Sequence, residues 1–422
     1  MSAGVTREKT HNELRPTPLE AIAPSVDELV FKNLFSIHDI PVDTEDGWRL
    51  VITRYKPLPQ KFKQPLFMQP LLLVHGLSQN RHCWSVGEFI KNLLYFGADL
   101  HIIEMRGHGK SSVKYQRELH AQEGRPLPAD IAYSWDADSY FLYDLPAAVN
   151  AVKKATGHQK IFYCGHSLGG MLGYGYAGVH DDLLGLVTIG SPSNLGKGFL
   201  PLQLTSQLDR LSPVLLNGLK AANLVRRGAA AVLGSPRKKA EKPFREWRLN
   251  YLPFDQWFRF VGKTFEYLDD ADNKLSGFFP LIYNPKRVVP ENILWLLDRG
   301  GEREPFKVLR QFARWVRNDE LKCYRRNIDF RENFKNIHIP IAIIFGDQDR
   351  LATLESTRAA YTGVSSEYLL WRPVRGNSHM DLTMGHDIRQ ICYDIKNLME
   401  YAILHQTKPP SLPRRMEKQR AA

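Results

Sequence analysis

The chain has 422 residues, a formal net charge of +12 and a hydrophobic fraction of 43%, which fits one large globular domain with insertions or two ordinary domains. It contains no run of about 18 apolar residues, and its first thirty residues lack the apolar stretch of a secretory signal, so neither a membrane-spanning helix nor a cleaved leader is expected. The four cysteines lie far apart without a CxxC pair, which favours reduced thiols in a cytoplasmic protein over disulfides or a zinc site.

The excess of positive charge is concentrated in two places, residues 226–248 and the tail from 414 to 420, and aromatic residues between 244 and 260 follow the first cluster. Such a mixture could contact the headgroups of an anionic membrane, or it could be a solvated loop beside an ordinary core. No helix-turn-helix, RNP-like or zinc-finger signature accompanies the charge, so we expect no nucleic-acid partner. The oligomeric state cannot be read from the sequence.

Short apolar runs alternate with helical patterns along most of the chain, which predicts a mostly parallel, twisted sheet with helices on both faces. The first element is a hairpin within 35–55, which turns at Asp46-Gly47. The predicted strands that follow are 70–74, 100–105, 162–166, 184–189, 339–345 and 368–374. Helical stretches are predicted near 86–95 and 139–155 and directly after residue 167.

The alternation stops between about 193 and 337, where aromatic and proline residues accompany helical patterns. We interpret 194–337 as a largely helical cap or lid inserted into an α/β core, before the strand at 339–345. The two parts of the core are then 35–193 and 338–406. Residues 1–34 are expected to form an N-terminal extension, and 407–422 a basic, flexible tail.

The most informative motif is Gly165-His166-Ser167-Leu168-Gly169, between an apolar strand and a helix rich in small residues. A serine nucleophile must stand clear of neighbouring side chains, and a sharp turn from strand to helix presents it in this way. Glycines flank such a turn because its strained backbone and the adjacent strands leave no room for a Cβ. We therefore predict Ser167 as a nucleophile.

The other members of a catalytic triad follow in the order nucleophile, acid and histidine, each after a predicted strand. Asp349 follows the strand at 339–345, and His379 follows the strand at 368–374. Two alternatives stay open. Asp347 could replace Asp349, although it lies so close to the strand that it would more readily bind the local turn. His386 could replace His379, although it is expected to lie inside the final helix.

Two backbone N–H groups are needed to stabilise the oxyanion of an acyl-transfer reaction. The N–H of Leu168 directly follows the nucleophile, and Leu77 lies in the loop after the strand at 70–74. We predict these two donors. His75, Gly76 and His166 lie beside them and are candidates for contacts with the substrate or with neighbouring loops. No metal site and no cofactor is expected.

The chain resembles the α/β-hydrolase superfamily over roughly 35–192 and 340–405. The matching motifs are Val74-His75-Gly76-Leu77, Arg106-Gly107-His108-Gly109, Gly165-His166-Ser167-Leu168-Gly169-Gly170, Gly346-Asp347-Gln348-Asp349 and His379-Met380-Asp381. Thr44-Glu45-Asp46-Gly47-Trp48 and the segment around His379 are similar to the acid-lipase branch. The resemblance to polyhydroxyalkanoate synthases is looser, since they carry cysteine where this chain has Ser167. Haloalkane dehalogenases and epoxide hydrolases of this fold carry aspartate there.

The resemblance implies the α/β-hydrolase fold with a cap inserted before the acid strand. Together with the triad, it predicts a serine hydrolase of the esterase or lipase type that cleaves a carboxylic ester with a sizeable apolar group through an acyl-enzyme. Its partner would be a small-molecule or lipid-like ester. Two alternatives remain: acyl transfer to an acceptor other than water, which includes polyester chemistry, and a non-catalytic protein that binds an anionic membrane through the basic cap and tail.

Overall fold

The computed structural model describes residues 33–198, 203, 250–256, 258–259 and 282–405. Several predicted features therefore lie outside the described residues: nearly all of the N-terminal extension, the basic cluster at 226–248, most of the aromatic residues that follow it, and the basic tail. None of the helices within the described ranges is long and apolar enough to cross a membrane.

The described residues form twelve strands, which are numbered here in chain order. They are β1 (Phe35–Asp43), β2 (Arg49–Pro57), β3 (Gln69–Val74), β4 (Ala98–Glu104), β5 (Ile161–His166), β6 (Leu183–Ile189), β7 (Tyr251–Leu252), β8 (Glu304–Pro305), β9 (Lys322–Cys323), β10 (Ile328–Asp329), β11 (Ile341–Gly346) and β12 (Leu369–Val374).

Eleven α-helical segments accompany these strands in the described ranges. They are α1 (His82–Ser85), α2 (Phe89–Tyr95), α3 (Val113–Glu123), α4 (Ala137–Ser139), α5 (Leu145–Thr156), α6 (Leu168–Val179), α7 (Pro290–Arg299), α8 (Phe306–Asn318), α9 (Leu354–Gly363), α10 (Asp381–Met384) and α11 (Ile388–His405). A π-helical turn, Tyr140–Asp144, joins α4 to α5, and short 3-10 turns occur at Pro59–Lys61, Gly109–Ser111 and Phe334–Asn336.

Eight strands form one sheet in the order β1-β2-β4-β3-β5-β6-β11-β12. The pairs β1–β2 and β2–β4 are antiparallel, and all the remaining neighbours are parallel. The predicted hairpin is confirmed, because Asp43 pairs with Arg49 around a turn in which Gly47 has a φ of +93°. This mostly parallel, eight-stranded sheet with flanking helices confirms the predicted α/β-hydrolase fold.

The central strands are buried on both faces, which explains why they are apolar throughout. In β3, Leu72 and Val74 belong to the hydrophobic cluster on one face of the sheet, whereas Leu71 and Leu73 belong to the cluster on the other. This division follows from the alternation of side chains along a strand. All four cysteines are buried and free in the structure.

The chain between β6 and β11, residues 190–340, is called here the β6–β11 connection, because these two strands are neighbours in the sheet. Its described parts contain the helices α7 and α8 and two short antiparallel pairs, β7–β8 and β9–β10. Both described helices reach the carboxyl edge of the parallel strands, where they line the same cavity as the residues after β3 and β5.

Candidate active site

Ser167 lies at the turn between β5 and α6, with φ +52° and ψ −117°, a conformation that is strained for any residue with a Cβ. Glycine is required at positions 165 and 169, because a Cβ at either position would collide with backbone atoms. A Cβ on Gly165 would lie 2.3 Å from the carbonyl carbon of Gly169, and a Cβ on Gly169 would lie 2.3 Å from the carbonyl oxygen of Val74. The turn therefore requires glycine two residues before and two residues after the serine.

His379 and Asp349 form a buried pair at the carboxyl ends of β12 and β11. Nδ1 of His379 is 2.8 Å from Oδ2 of Asp349. The other carboxylate oxygen accepts the backbone N–H groups of Leu351 and Ala352, at 2.8 and 2.9 Å. An ionised carboxylate only accepts hydrogen bonds, so Nδ1 carries the proton and Nε2 of the neutral ring is left as the basic nitrogen.

The two alternative residues lie apart from this pair. Asp347 is exposed, and its carboxylate accepts the backbone N–H of Gly376 at 2.6 Å, so it holds the loop that leads to His379. His386 is also exposed. The expectation that it lies inside the final helix is wrong, because α11 begins at Ile388. His386 instead occupies the preceding turn, where its backbone N–H donates to the carbonyl oxygen of Arg287.

The two expected oxyanion donors lie on either side of the serine. Leu168 is the first residue of α6, so its N–H has no partner within the helix. Leu77 belongs to the loop after β3 and lines a cavity together with Ser167 and His379. A Cβ on Gly76 would lie 2.9 Å from the Cβ of Ser167. Glycine at this position therefore lets the loop approach the nucleophile closely.

His75 and His166 are fully buried and bind neighbouring loops, which is one of the two roles expected for them. Nε2 of His75 accepts the N–H of Met105 at 3.1 Å, and burial together with the nearby His108 lowers the pKa of His75 to about 3. His166 lies between Oε1 of Gln79, at 3.0 Å, and the carbonyl oxygen of His379, at 3.3 Å. Its pKa is lowered well below the ordinary value, chiefly by burial.

A further acidic residue, Asp381, supports the loop that carries His379. Its carboxylate accepts the backbone N–H of Ser378 at 2.7 Å and that of Asn284, in the β6–β11 connection, at 3.0 Å. Burial raises the pKa of Asp381 to about 6, the charge of Asp349 adds to this, and the backbone N–H groups oppose it. This role of Asp381 was not predicted from the sequence. Its only signal in the sequence is that Asp381 lies two residues after His379.

The site opens into a cavity of about 390 Å³. Ser167 and His379 lie on its wall, and most of the other lining side chains are apolar. They include Leu77, Met171, Leu195, Phe258, Ile282, Ile293, Leu296, Leu297, Leu309, Phe312, Ala313, Val316, Leu351, Met380 and Met384. Among the described residues, no group of three or more histidine, cysteine, aspartate or glutamate side chains is arranged to hold a metal ion.

Comparison with known proteins agrees with this geometry. Residues 69–232 match the family model described as "alpha/beta hydrolase fold". The chain is 25% identical over 169 residues to the human lysosomal acid lipase/cholesteryl ester hydrolase, an alignment that covers 39% of this chain and 41% of that protein. It is 23% identical over 386 residues to Lipase 1 of Drosophila melanogaster, which covers 87% of this chain and 78% of the relative.

The chain spans only 34–41% of the length of four of the acid lipases and related proteins that it matches. Among solved structures, it resembles the peroxisomal alpha-beta-hydrolase Lpx1 of Saccharomyces cerevisiae with a TM-score of 0.50 and 13% identity, over 92% of this chain and 97% of the other. That likeness concerns the fold. The sheet order and the family model therefore show the α/β-hydrolase fold, and the sequence is similar to lipases that match this chain at 23–25% identity.

Proposed function

We propose that this protein is a serine hydrolase that cleaves a carboxylic ester with a sizeable apolar group. One observation carries the proposal: the buried His379–Asp349 pair and the strained Ser167 open onto the same apolar cavity. A nucleophile, a base, a group that orients the base and nearby backbone donors are the parts that acyl transfer requires. The similarity to lipases and esterases supports ester hydrolysis at the level of the family.

In the proposed mechanism, Oγ of Ser167 attacks the ester carbonyl while Nε2 of His379 takes its proton. The oxyanion then forms within reach of the N–H groups of Leu77 and Leu168. Collapse of this intermediate releases the alcohol, which receives the proton from His379, and leaves an acyl-enzyme. Water, deprotonated by the same nitrogen, attacks the acyl group and restores the serine. Asp349 keeps the imidazole in the required tautomer and stabilises the imidazolium.

The composition of the cavity wall supports an apolar substrate. Helix α7 contributes Ile293, Leu296 and Leu297, and helix α8 contributes further apolar side chains such as Phe312. A volume of about 390 Å³ falls within the range of roughly 300–1,000 Å³ that is typical of small-molecule sites. We infer that the β6–β11 connection acts as a cap that covers the acyl or alcohol part of the ester. The cytoplasmic location and the contact with an anionic membrane stay predictions.

The test is the hydrolysis of nitrophenyl esters from acetate to palmitate by the wild type, Ser167→Ala and a control variant, Ser365→Ala. The Ser365 hydroxyl donates to the carbonyl oxygen of Lys335, so its loss leaves the site intact. We expect Ser365→Ala to match the wild type and Ser167→Ala to lose about 10⁶-fold in kcat. Equal activity in Ser167→Ala and the wild type, or no hydrolysis of any ester by the wild type, would overturn the proposal.

Product analysis in the presence of an added alcohol separates hydrolysis from acyl transfer. In dilute aqueous alcohol, a hydrolase gives the free acid as its main product, because water is present in large excess over the alcohol. If a new ester dominates instead, the acyl-enzyme is retained but the assignment to hydrolysis is wrong.

A further inference from the structure

A buried glutamate from the β6–β11 connection reaches the loop that carries the oxyanion donor Leu77. Glu304, in β8, is fully buried. One of its carboxylate oxygens, Oε2, accepts the backbone N–H of Ser78 at 2.8 Å, with Oγ of Ser78 at 3.4 Å and Nε2 of His108 at 3.3 Å. The other, Oε1, accepts the hydroxyl of Tyr140 at 2.8 Å. Every polar contact of this carboxylate is therefore internal.

Ser78 is held from both sides by the same short segment. While its N–H donates to the Glu304 carboxylate, its carbonyl oxygen accepts the backbone N–H of Glu302 at 2.9 Å. Ser78 has a φ of +55°, a left-handed conformation that costs free energy in a residue with a Cβ. Surrounding contacts must therefore maintain it, and the two hydrogen bonds from residues 302–304 are of that kind.

The same segment binds the loops that follow β3 and β4. The Glu302 carboxylate accepts the side-chain amide of Asn80 at 2.7 Å and the backbone N–H of Gly109 at 3.0 Å. Burial lowers the pKa of His108, but its hydrogen bond to Glu304 and the charges of Glu304 and Glu302 outweigh burial, so this pKa is raised. The contact with Glu304 therefore favours the protonated form of the His108 ring.

We propose that Glu304 is a positioning residue for the oxyanion hole, which it sets by anchoring Ser78 and thereby orienting the adjacent Leu77 N–H. The inference rests on the proposed ester hydrolysis and adds a residue that is 227 positions distant from Leu77 in the sequence (304 minus 77). It does not make Glu304 a catalytic residue, because the carboxylate faces Ser78, His108 and Tyr140 rather than the cavity.

An oxyanion donor acts on charge that develops only in the transition state, so its displacement lowers kcat and leaves KM nearly unchanged. Outright removal of one donor costs about 10²–10³-fold in kcat. Since Glu304→Ala would displace the Leu77 N–H without deleting it, we expect a loss of about 10- to 10²-fold. Glu304→Gln keeps an oxygen that can accept the Ser78 N–H, so its loss should be smaller.

The experiment compares wild type, Glu304→Ala, Glu304→Gln and Asp394→Asn on one nitrophenyl ester, with kcat and KM measured separately. Asp394, in α11, is also a buried carboxylate and pairs with Arg372 of β12, so it controls for the general cost of neutralising a buried acid. A trifluoromethyl ketone inhibitor, which forms an oxyanion when Ser167 adds to it, provides a second readout. The variants are compared at a temperature where circular dichroism shows all of them folded.

We expect kcat and inhibitor affinity to fall together in Glu304→Ala, to fall less in Glu304→Gln, and to stay within about twofold of the wild type in Asp394→Asn. If Glu304→Ala does not fold, kcat and inhibitor affinity in Glu304→Gln still test the positioning role. Wild-type kcat and inhibitor affinity in the folded Glu304 variants, or equal losses in Asp394→Asn, would overturn the inference. Failure of the proposed function looks different, because the wild type would then turn over no ester or Ser167→Ala would retain activity.

Discussion

The core sheet and the β6–β11 connection contribute to the same site in different ways. The core carries the proposed reacting groups, since Ser167, Asp349 and His379 follow β5, β11 and β12 at one edge of the sheet. The connection provides an apolar wall and hydrogen bonds to the loops near these residues. In the proposed account, the sheet topology brings the three residues together, and a distant part of the chain positions the loops beside them.

The connection holds the two sides of the site by different means. On the histidine side, the connection contributes mainly backbone groups: the carbonyl oxygen of Ile282 accepts the N–H of Met380 at 2.7 Å, and the N–H of Asn284 donates to the Asp381 carboxylate at 3.0 Å. On the oxyanion side a buried side chain, Glu304, binds Ser78. We therefore expect single substitutions in the connection to disturb the oxyanion loop more readily than the histidine loop.

The largest effect should come from the core, in the comparison of Asp349→Asn with Asp347→Asn. An amide at 349 can no longer hold the required tautomer of His379, and the corresponding change in a serine protease triad costs about 10⁴-fold in kcat. Asp347 touches only the backbone N–H of Gly376 among the contacts described above, so Asp347→Asn should cost little. The measurement is kcat for both variants on one ester by steady-state kinetics. Similar losses of kcat in the two variants would contradict the assignment of Asp349 as the acid.

A smaller effect is expected where the connection meets the histidine loop, in Asp381→Asn. The amide keeps one acceptor oxygen where the carboxylate bound two backbone N–H groups, so the loop that carries His379 should shift. A misplacement of about 1 Å can cost up to about 10²-fold in rate. The measurement is kcat and KM for the variant beside the wild type. An unchanged kcat in folded protein would show that the histidine loop does not depend on this contact.

A substitution in the wall of the cavity should change which ester is preferred without changing the rate of the chemical step. Ala313 lines the cavity from α8, whereas Lys307 of the same helix is exposed. Ala313→Phe should fill part of the cavity and shift the preferred nitrophenyl ester toward shorter acyl chains, with activity on acetate retained. Lys307→Ala serves as the control and should keep the wild-type profile. If both variants share one chain-length profile, the cavity is not the site of the apolar group.

The smallest effect on catalysis is expected from a buried core histidine that is remote from the reaction. Burial lowers the pKa of His101 to about 4, whereas the ordinary pKa of histidine is near 6.5. Between about pH 4 and pH 6.5, the folded protein therefore binds fewer protons than the unfolded chain. This residue therefore stabilises the fold above about pH 6.5, and the stabilisation, about 3 kcal/mol in full, is lost as the pH falls toward 4.

The variant His101→Gln should accordingly lose less stability between pH 7 and pH 5 than the wild type, while its kcat at pH 7 stays the same. Urea unfolding at the two pH values measures the difference. An identical loss of unfolding free energy in the two proteins would show that His101 does not contribute to acid sensitivity.

The sequence predicted the sheet well because the signals for its strands are local, whereas the roles of Ser167, Asp349 and His379 stay predictions. Strand β3 is apolar throughout since it is buried on both faces, and the glycines beside Ser167 follow from contacts within a few residues. The start of α11 was misplaced because it depends on a distant segment. The backbone of Arg287 accepts the His386 N–H, and Val288 pairs with Gly385. Glu304 escaped prediction for the same reason.

The central claim is that Ser167 is the activated nucleophile, and covalent labelling tests it most directly. The wild type and Ser167→Ala are treated with a fluorophosphonate, and the modified peptide is identified by mass spectrometry. We expect one adduct, on Ser167, and none in the variant, with both proteins folded by circular dichroism. An adduct on another residue, or no adduct on the folded wild type, would contradict the assignment.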